Sequence, residues 1–196
     1  MTLPAFSLCV YCGSRTGTTP AFLGAAQAVG RWIGAQGGQL VYGGGNNGLM
    51  GAVADATLAA GGRVVGVIPH ALVEKEWARL DCTELHVVDN MHDRKRMMAE
   101  RADAFLALPG GIGTMEEFFE VWTWRQLGYH DKPIGLLNVA GYYDPLLAFL
   151  SSGVAQGLMG GWLMDLVQVD SDIDTLLPAV LRTAGRSQRP PDLSGI

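Results

Sequence analysis

One stretch near the middle of the chain, Pro109-Gly110-Gly111-Ile112-Gly113-Thr114-Met115-Glu116-Glu117, gathers groups that could hold an anion and act beside it. Three glycines leave backbone N–H groups uncovered, and a helix opening behind them adds partial positive charge at its N-terminus. That combination suits a phosphate. Thr114 adds a hydroxyl, which a turn built only for packing would rarely need. Glu116 and Glu117 are expected in the first helical turn, where acids complement the dipole; one would suffice for that. Glu117 stands three residues beyond Thr114, hence on the same face, looking into the mouth of the turn. A carboxylate there is suited to accepting a proton or holding sugar hydroxyls.

A second cluster, Met91-His92-Asp93-Arg94-Lys95-Arg96, begins the preceding helix. Cations are electrostatically misplaced at a helix N-terminus, which points to an anion facing them. A solvated charge run accounts for Arg96 but less well for all three. The strands that precede the two helices are consecutive, which would set the cluster beside the glycine turn. His92 has the chemistry of a catalytic acid, but a structural or capping role is the expected one.

Two other glycine turns carry weaker signals. Gly43-Gly-Gly45-Asn-Asn-Gly48 fits the dinucleotide pattern G-x-G-x-x-G. It follows the second strand, however, and no acid ends the next strand to hold a ribose hydroxyl. At the end of the first strand, Gly13 permits close backbone approach, and Ser14 can cap a helix or donate to a ligand. Cys9 and Cys12 have C-x-x-C spacing, but Cys9 falls inside an apolar run and Cys82 stands alone. Small buried residues on a strand are the better account than zinc or redox chemistry. No phosphate-loop string G-x-x-x-x-G-K-[ST] is present.

These groups need a scaffold that brings several strand ends together. Apolar runs alternate with helical patterns along the chain. Strands are expected at 6–11, 39–42, 63–68, 84–88, 104–108, 134–138 and 166–169. Helices are expected at 20–36, 49–60, from the Met91 cluster to about 101, and at 114–127, 143–155 and 173–182. Continuous apolar strands between helices imply an α/β, Rossmann-like, doubly wound parallel sheet with helices on both faces. Ligands bind such sheets beyond the carboxyl ends of the strands. Residues 1–185 are expected to form a single nucleotide-binding domain, and 186–196, with Pro190-Pro191, a disordered tail. The helix at 114–127 is apolar around most of its circumference, so one face is expected to meet a second copy in a homodimer.

The 196 residues are 48% hydrophobic and 17% charged, a globular composition with a formal net charge of −5. No long basic run exists, so a nucleic-acid partner is not expected. Neither a signal peptide nor an apolar run long enough to cross a bilayer is evident, and a cytoplasmic location is expected by default.

Pro109 through Glu117 matches P-G-G-x-G-T-x-x-E, and Met91 through Lys95 matches M-H-x-R-K. With Cys12-Gly13-Ser14, Val41 through Gly45, Gly48 through Gly51, Thr123 through Gly128, and Lys132-Pro133 through Tyr143, the chain resembles the LONELY GUY family of cytokinin-activating phosphoribohydrolases. The resemblance runs from about residue 6 to 155. It implies hydrolysis of the N-glycosidic bond of an N6-substituted AMP, releasing free base and ribose 5-phosphate. It further implies Arg94 and Glu117 as the catalytic pair. Substrate binding would fall to Ser14, Glu76, Lys95, Gly110, Gly111, Ile112, Gly113, Thr114, Met115, Glu116 and Thr123. No metal and no cofactor are implied. Family members have also been labelled lysine decarboxylases, but no lysine here has an evident pyridoxal-phosphate setting. Two alternatives stay open: an AMP nucleosidase with no preference for N6-alkylated bases, and a nucleotide or cofactor carrier that binds without turnover.

Overall fold

The computed structural model describes residues 3–73 and 78–184; Glu76 and the expected tail at 186–196 lie outside them. The elements run β1 (Ser7–Tyr11), α1 (Pro20–Ala35), β2 (Gln39–Tyr42), α2 (Gly48–Ala59), β3 (Arg63–Pro69), α3 (His70–Val73), β4 (Glu84–Val88) and α4 (Met91–Glu100). They continue with β5 (Ala104–Ala107), α5 (Ile112–Leu127), β6 (Ile134–Leu137), α6 (Asp144–Ala155), β7 (Val167–Asp170) and α7 (Ile173–Ala184). Among the described residues seven strands form one sheet in the order β4-β3-β2-β1-β5-β6-β7. Every pairing is parallel. No helix among these residues is long and apolar enough to cross a membrane.

The inner strands are apolar along their length because both of their faces are covered. Alternation then divides the core into two layers. Leu8 and Val10 of β1 pack with Ala26, Val29 and Ile33 of α1, Val53 of α2 and Leu177 of α7. Cys9 and Tyr11 point the other way, among Met98 of α4, Phe118 and Val121 of α5 and Leu150 of α6. The same alternation sends Cys9 and Cys12 into opposite layers, both buried and neither in a disulfide. Burial, and then the negative charge of Glu117, pushes the Cys12 thiol up and keeps it neutral.

The chain starts in the middle of the sheet, winds outward to β4, and returns with β5 on the other side of β1. The switch point therefore lies between β1 and β5, and a crevice opens beyond their carboxyl ends. The sheet order corrects one expectation. β4 and β5 are consecutive in sequence but separated in the sheet by β3, β2 and β1. The Met91 cluster is not brought to the glycine turn by neighbouring strands. It comes because α4 packs over β3, where Arg94 reaches Val67 O and Gly43 O, and Lys95 meets Glu116 and Glu120 of α5.

Candidate active site

Two turns meet at the switch point. Leu108 N–H donates to Tyr11 O (2.9 Å), and Gly13 N–H donates to Pro109 O (3.1 Å). A Cβ on Gly110 would lie 2.9 Å from Gly13 N and 2.0 Å from Thr114 Oγ1, so only glycine fits between them. α5 starts at Ile112, earlier than the expected Thr114, with Gly111 as its N-cap. Glu116 and Glu117 thereby fall in the second helical turn, not the first, and a dipole role accounts for them less well. Among the described residues no backbone carbonyl accepts from Gly110 N–H or Gly111 N–H. The first N–H groups of α5 also lack partners within the helix. This is a concentrated set of open donors.

A cavity of about 230 Å³ lies against these donors. Its walls carry Ser14, Arg94, Gly111, Ile112, Gly113, Thr114, Glu116 and Glu117, with Met50 and Met91 as apolar surface. Most of the expected residues thus converge. Arg94 is held with particular care. Its side chain is buried, Nη2 donates to Gly43 O (2.8 Å), and Nε donates to Val67 O (3.1 Å). The Gly43–Gly48 turn is therefore a socket for an arginine. A Cβ at Gly43 would sit 2.1 Å from Arg94 Nη2, which explains the glycine there. Buried Arg79 braces the same turn: Nη1 donates to Asn46 Oδ1 (3.3 Å) and Asp55 Oδ1 (2.5 Å).

Other expected residues stand elsewhere. Lys95 is not on the cavity wall. Its ammonium donates to Glu116 Oε1 (2.6 Å) and Glu120 Oε1 (2.8 Å), tying α4 to α5. Burial works against its charge, but these two partners prevail and raise its pKa. For Glu120 burial prevails and pushes the carboxyl up, against the pull of Lys95. Met115 is half-buried against the second core layer. Gly110 lines a larger cavity of about 600 Å³ with Arg15, Phe22 and Tyr142, which shares Gly13, Ser14, Gly111 and Ile112 with the first. Thr123 is exposed and edges a separate apolar pocket of about 190 Å³ with Phe119, Trp122, Leu150, Met159 and Leu163. His92 does not cap α4. Asn90 does, its Oδ1 accepting from Asp93 N–H (2.9 Å). Arg96 pairs on the surface with Asp93 (3.0 Å).

The aromatic helix face is also partly accounted for within the chain. Trp122 is buried and donates from Nε1 to Leu163 O (3.1 Å), in the short 3-10 helix Gly161–Leu166. Leu127 on α5, Phe149 on α6, and Leu158 and Trp162 beyond it remain exposed. Sequence reasoning overlooked Arg15, Met50 and Met91 as wall residues, and Tyr142 and Tyr143 as partners of the glycine turn. Arg15 directly follows Ser14, and its position there was the available signal.

The chain has recognisable relatives among known proteins. Residues 50–180 match a family model described as possible lysine decarboxylase. Of the described lysines, Lys95 is occupied by two carboxylates, and buried Lys132 donates to Ala99 O (2.7 Å). Neither lines the cavity. A probable cytokinin riboside 5'-monophosphate phosphoribohydrolase of Oryza sativa subsp. japonica is 52% identical over 152 residues, 78% of this chain and 68% of the relative. A cytokinin riboside 5'-monophosphate phosphoribohydrolase of Rhodococcoides fascians is 46% identical over 175 residues, 89% of this chain and 88% of the relative. Among solved structures, the Moco carrier protein of Chlamydomonas reinhardtii superposes with a TM-score of 0.69 at 21% identity, covering 94% of this chain and 99% of that one. That likeness concerns the fold alone. On identity, coverage and motif, the chain belongs to the family of cytokinin riboside 5'-monophosphate phosphoribohydrolases.

Proposed function

We propose that the chain hydrolyses the bond between base and ribose in a nucleoside 5′-monophosphate, acting on N6-prenylated AMP and on AMP, and releases free base and ribose 5-phosphate. The observation that carries this reading is that Glu117 and Arg94 share one cavity with the open N–H groups of the glycine turn. The names of the relatives support it.

The 5′-phosphate sits on the N–H groups at the start of α5, with the Ser14 and Thr114 hydroxyls beside it. Anchoring there brings the anomeric carbon toward Glu117, one helical turn further along. As the glycosidic bond lengthens, its electrons leave with the base and positive charge builds on the ribose ring. The Glu117 carboxylate stabilises that charge and orients a water. The water oxygen bonds to the anomeric carbon and gives up a proton to the Glu117 carboxylate, while the departing base takes one up. One water thus supplies both the new sugar hydroxyl and the hydrogen on the base. The Arg94 guanidinium carries N–H donors and no acceptor, so its part is to donate hydrogen bonds to phosphate or base. Lys95 acts through Glu116 and Glu120, which it holds in place. The chemistry asks for water and no cofactor.

The exposed apolar residues of α5 and α6 are assigned to a homodimer. Thr123 lies on that side, so a substrate contact from it requires the second copy. Light scattering at micromolar concentration should give twice the chain mass; a monomer would remove this assignment.

Chromatography after incubation with AMP, isopentenyl-AMP and adenosine tests the main reading. Base and ribose 5-phosphate should appear from both nucleotides, and adenosine should react far more slowly. Equal turnover of adenosine and AMP would overturn phosphate anchoring. Tight binding without any turnover would favour a carrier.

A further inference from the structure

Two adjacent tyrosines reach the glycine turn from the connection between β6 and α6. Tyr143 is buried, and its hydroxyl donates to Leu108 O (2.6 Å). Tyr142 stands at the rim, and its hydroxyl donates to Gly110 O (2.5 Å). The Tyr142 ring meets Phe22 edge-on at 5.3 Å. The connection is built to deliver both. Asn138 Oδ1 accepts from Tyr143 N–H (2.7 Å), and Ala140 is held at φ 52°, a conformation alanine seldom adopts.

With these contacts every carbonyl from Leu108 to Gly111 has a donor. Tyr143 serves Leu108 and Tyr142 serves Gly110. Gly13 N–H serves Pro109 (3.1 Å), and Met115 N–H serves Gly111 (3.1 Å). The two tyrosines do not have equal consequences. A trans peptide points its C=O and the following N–H in opposite directions. The carbonyl held by Tyr143 precedes Pro109, which has no N–H to aim. The carbonyl held by Tyr142 belongs to the same peptide as Gly111 N–H. That peptide is flanked by glycine on both sides, so its local sterics resist rotation least. We propose that the Tyr142 hydroxyl is the latch that fixes the Gly110–Gly111 peptide, and so aims Gly111 N–H at the substrate phosphate. Tyr142 is a positioning residue, and the inference rests on the phosphate placement proposed above.

Tyr142→Phe keeps the ring against Phe22 and removes only the latch. Ribose 5-phosphate affinity, measured by calorimetry, should fall about tenfold, the size of one lost hydrogen bond. The KM for AMP should rise by a similar factor, with kcat and melting temperature nearly unchanged. In wild-type protein, titration with ribose 5-phosphate should move the Gly111 amide resonance strongly; in Tyr142→Phe that movement should shrink. Tyr143→Phe should do the opposite, lowering the melting temperature and leaving ribose 5-phosphate affinity within about threefold. Equal affinity in wild type and Tyr142→Phe would overturn the latch while leaving the proposed function standing. So would a Tyr142→Phe protein that loses melting temperature and kcat together. If the wild type itself does not bind ribose 5-phosphate, the phosphate placement falls, and the latch falls with it.

Discussion

Replacing Gly43 by alanine adds one methyl group and leaves every residue assigned to chemistry unsubstituted, while pressing on one of them, Arg94. The added carbon would lie 2.1 Å from Arg94 Nη2, where ordinary contact begins near 3.4 Å. The guanidinium must therefore retreat by about 1.3 Å, the difference between those two distances. Gly43 does not have a positive φ, so alanine meets no backbone strain and the collision acts alone. Misplacing a reacting group by about 1 Å costs on the order of 10²-fold in rate, and Gly43→Ala should lose that much in kcat/KM for AMP. Weakening the buried bond to Gly43 O should also cost roughly 1.5–3 kcal/mol of stability, which a melting curve would register. The decisive assay is the double variant. Arg94→Ala in the Gly43→Ala background should be no slower than Arg94→Ala alone, because both changes remove the same positioned group. Wild-type kcat/KM in Gly43→Ala, or losses that simply add, would refute the claim that this turn exists to seat Arg94.

Three further outcomes are expected. Glu117→Gln should lower turnover by about 10²–10⁴ while ribose 5-phosphate binding persists; a variant that melts slightly earlier yet hydrolyses AMP at a near-wild-type rate would remove Glu117 from the mechanism. Arg15→Ala should raise the KM for AMP about tenfold and flatten its dependence on salt, since Arg15 lies on the wall beyond Gly110 where a dianion needs a cation; an unchanged KM would reject that role. Burial pushes the His130 imidazole down to about 4, while Nε2–H donates to Val121 O (2.9 Å) and Nδ1 accepts from Lys132 N–H (3.1 Å). The unfolded chain takes up a proton near pH 6.5 that the folded chain refuses until about pH 4, so stability is full above 6.5 and is lost as pH falls through that window. The loss approaches about 3 kcal/mol, and urea unfolding of wild type against His130→Gln between pH 7.5 and 4.5 should show it; parallel pH profiles for the two proteins would contradict it.

Much of the fold was legible because apolar runs in this chain are bounded by turn-forming residues, glycine around β2 and Asp89-Asn90 after β4 among them. β2 and β4 lie where the sequence places them, since turn-forming residues leave little room for drift. α5 was read as starting too late because glycine was taken as turn, yet Gly113 is accommodated inside the first helical turn. The site was legible where one local segment supplies several groups, as at Gly110–Thr114. It was illegible where partners come from distant segments. Lys95 reads as a phosphate ligand until Glu116 and Glu120, four residues apart on α5, are seen to face it. Arg94 reads as a neighbour of the glycine turn for a reason the sheet order contradicts. Its true supports are two carbonyls at the ends of β2 and β3. The tyrosine hydroxyls bond to main-chain oxygens, and a main-chain oxygen has no signature in sequence.

The placement of β5 beside β1 has a consequence for how the protein is made. The seam closes between residues 96 apart in sequence, as the bond from Ser7 N–H to Asp103 Oδ2 (2.7 Å) marks. Contacts of such long range carry a large loop-closure cost and are slow to form. A chain emerging from the ribosome can assemble β1 through α4 from neighbouring segments and will already own Ser14 and Arg94. The phosphate site proposed above cannot form until β5 docks and brings the glycine turn against Gly13. A nucleotide bound across that seam holds the two halves of the sheet together, so saturating AMP should slow unfolding as well as raise the melting temperature.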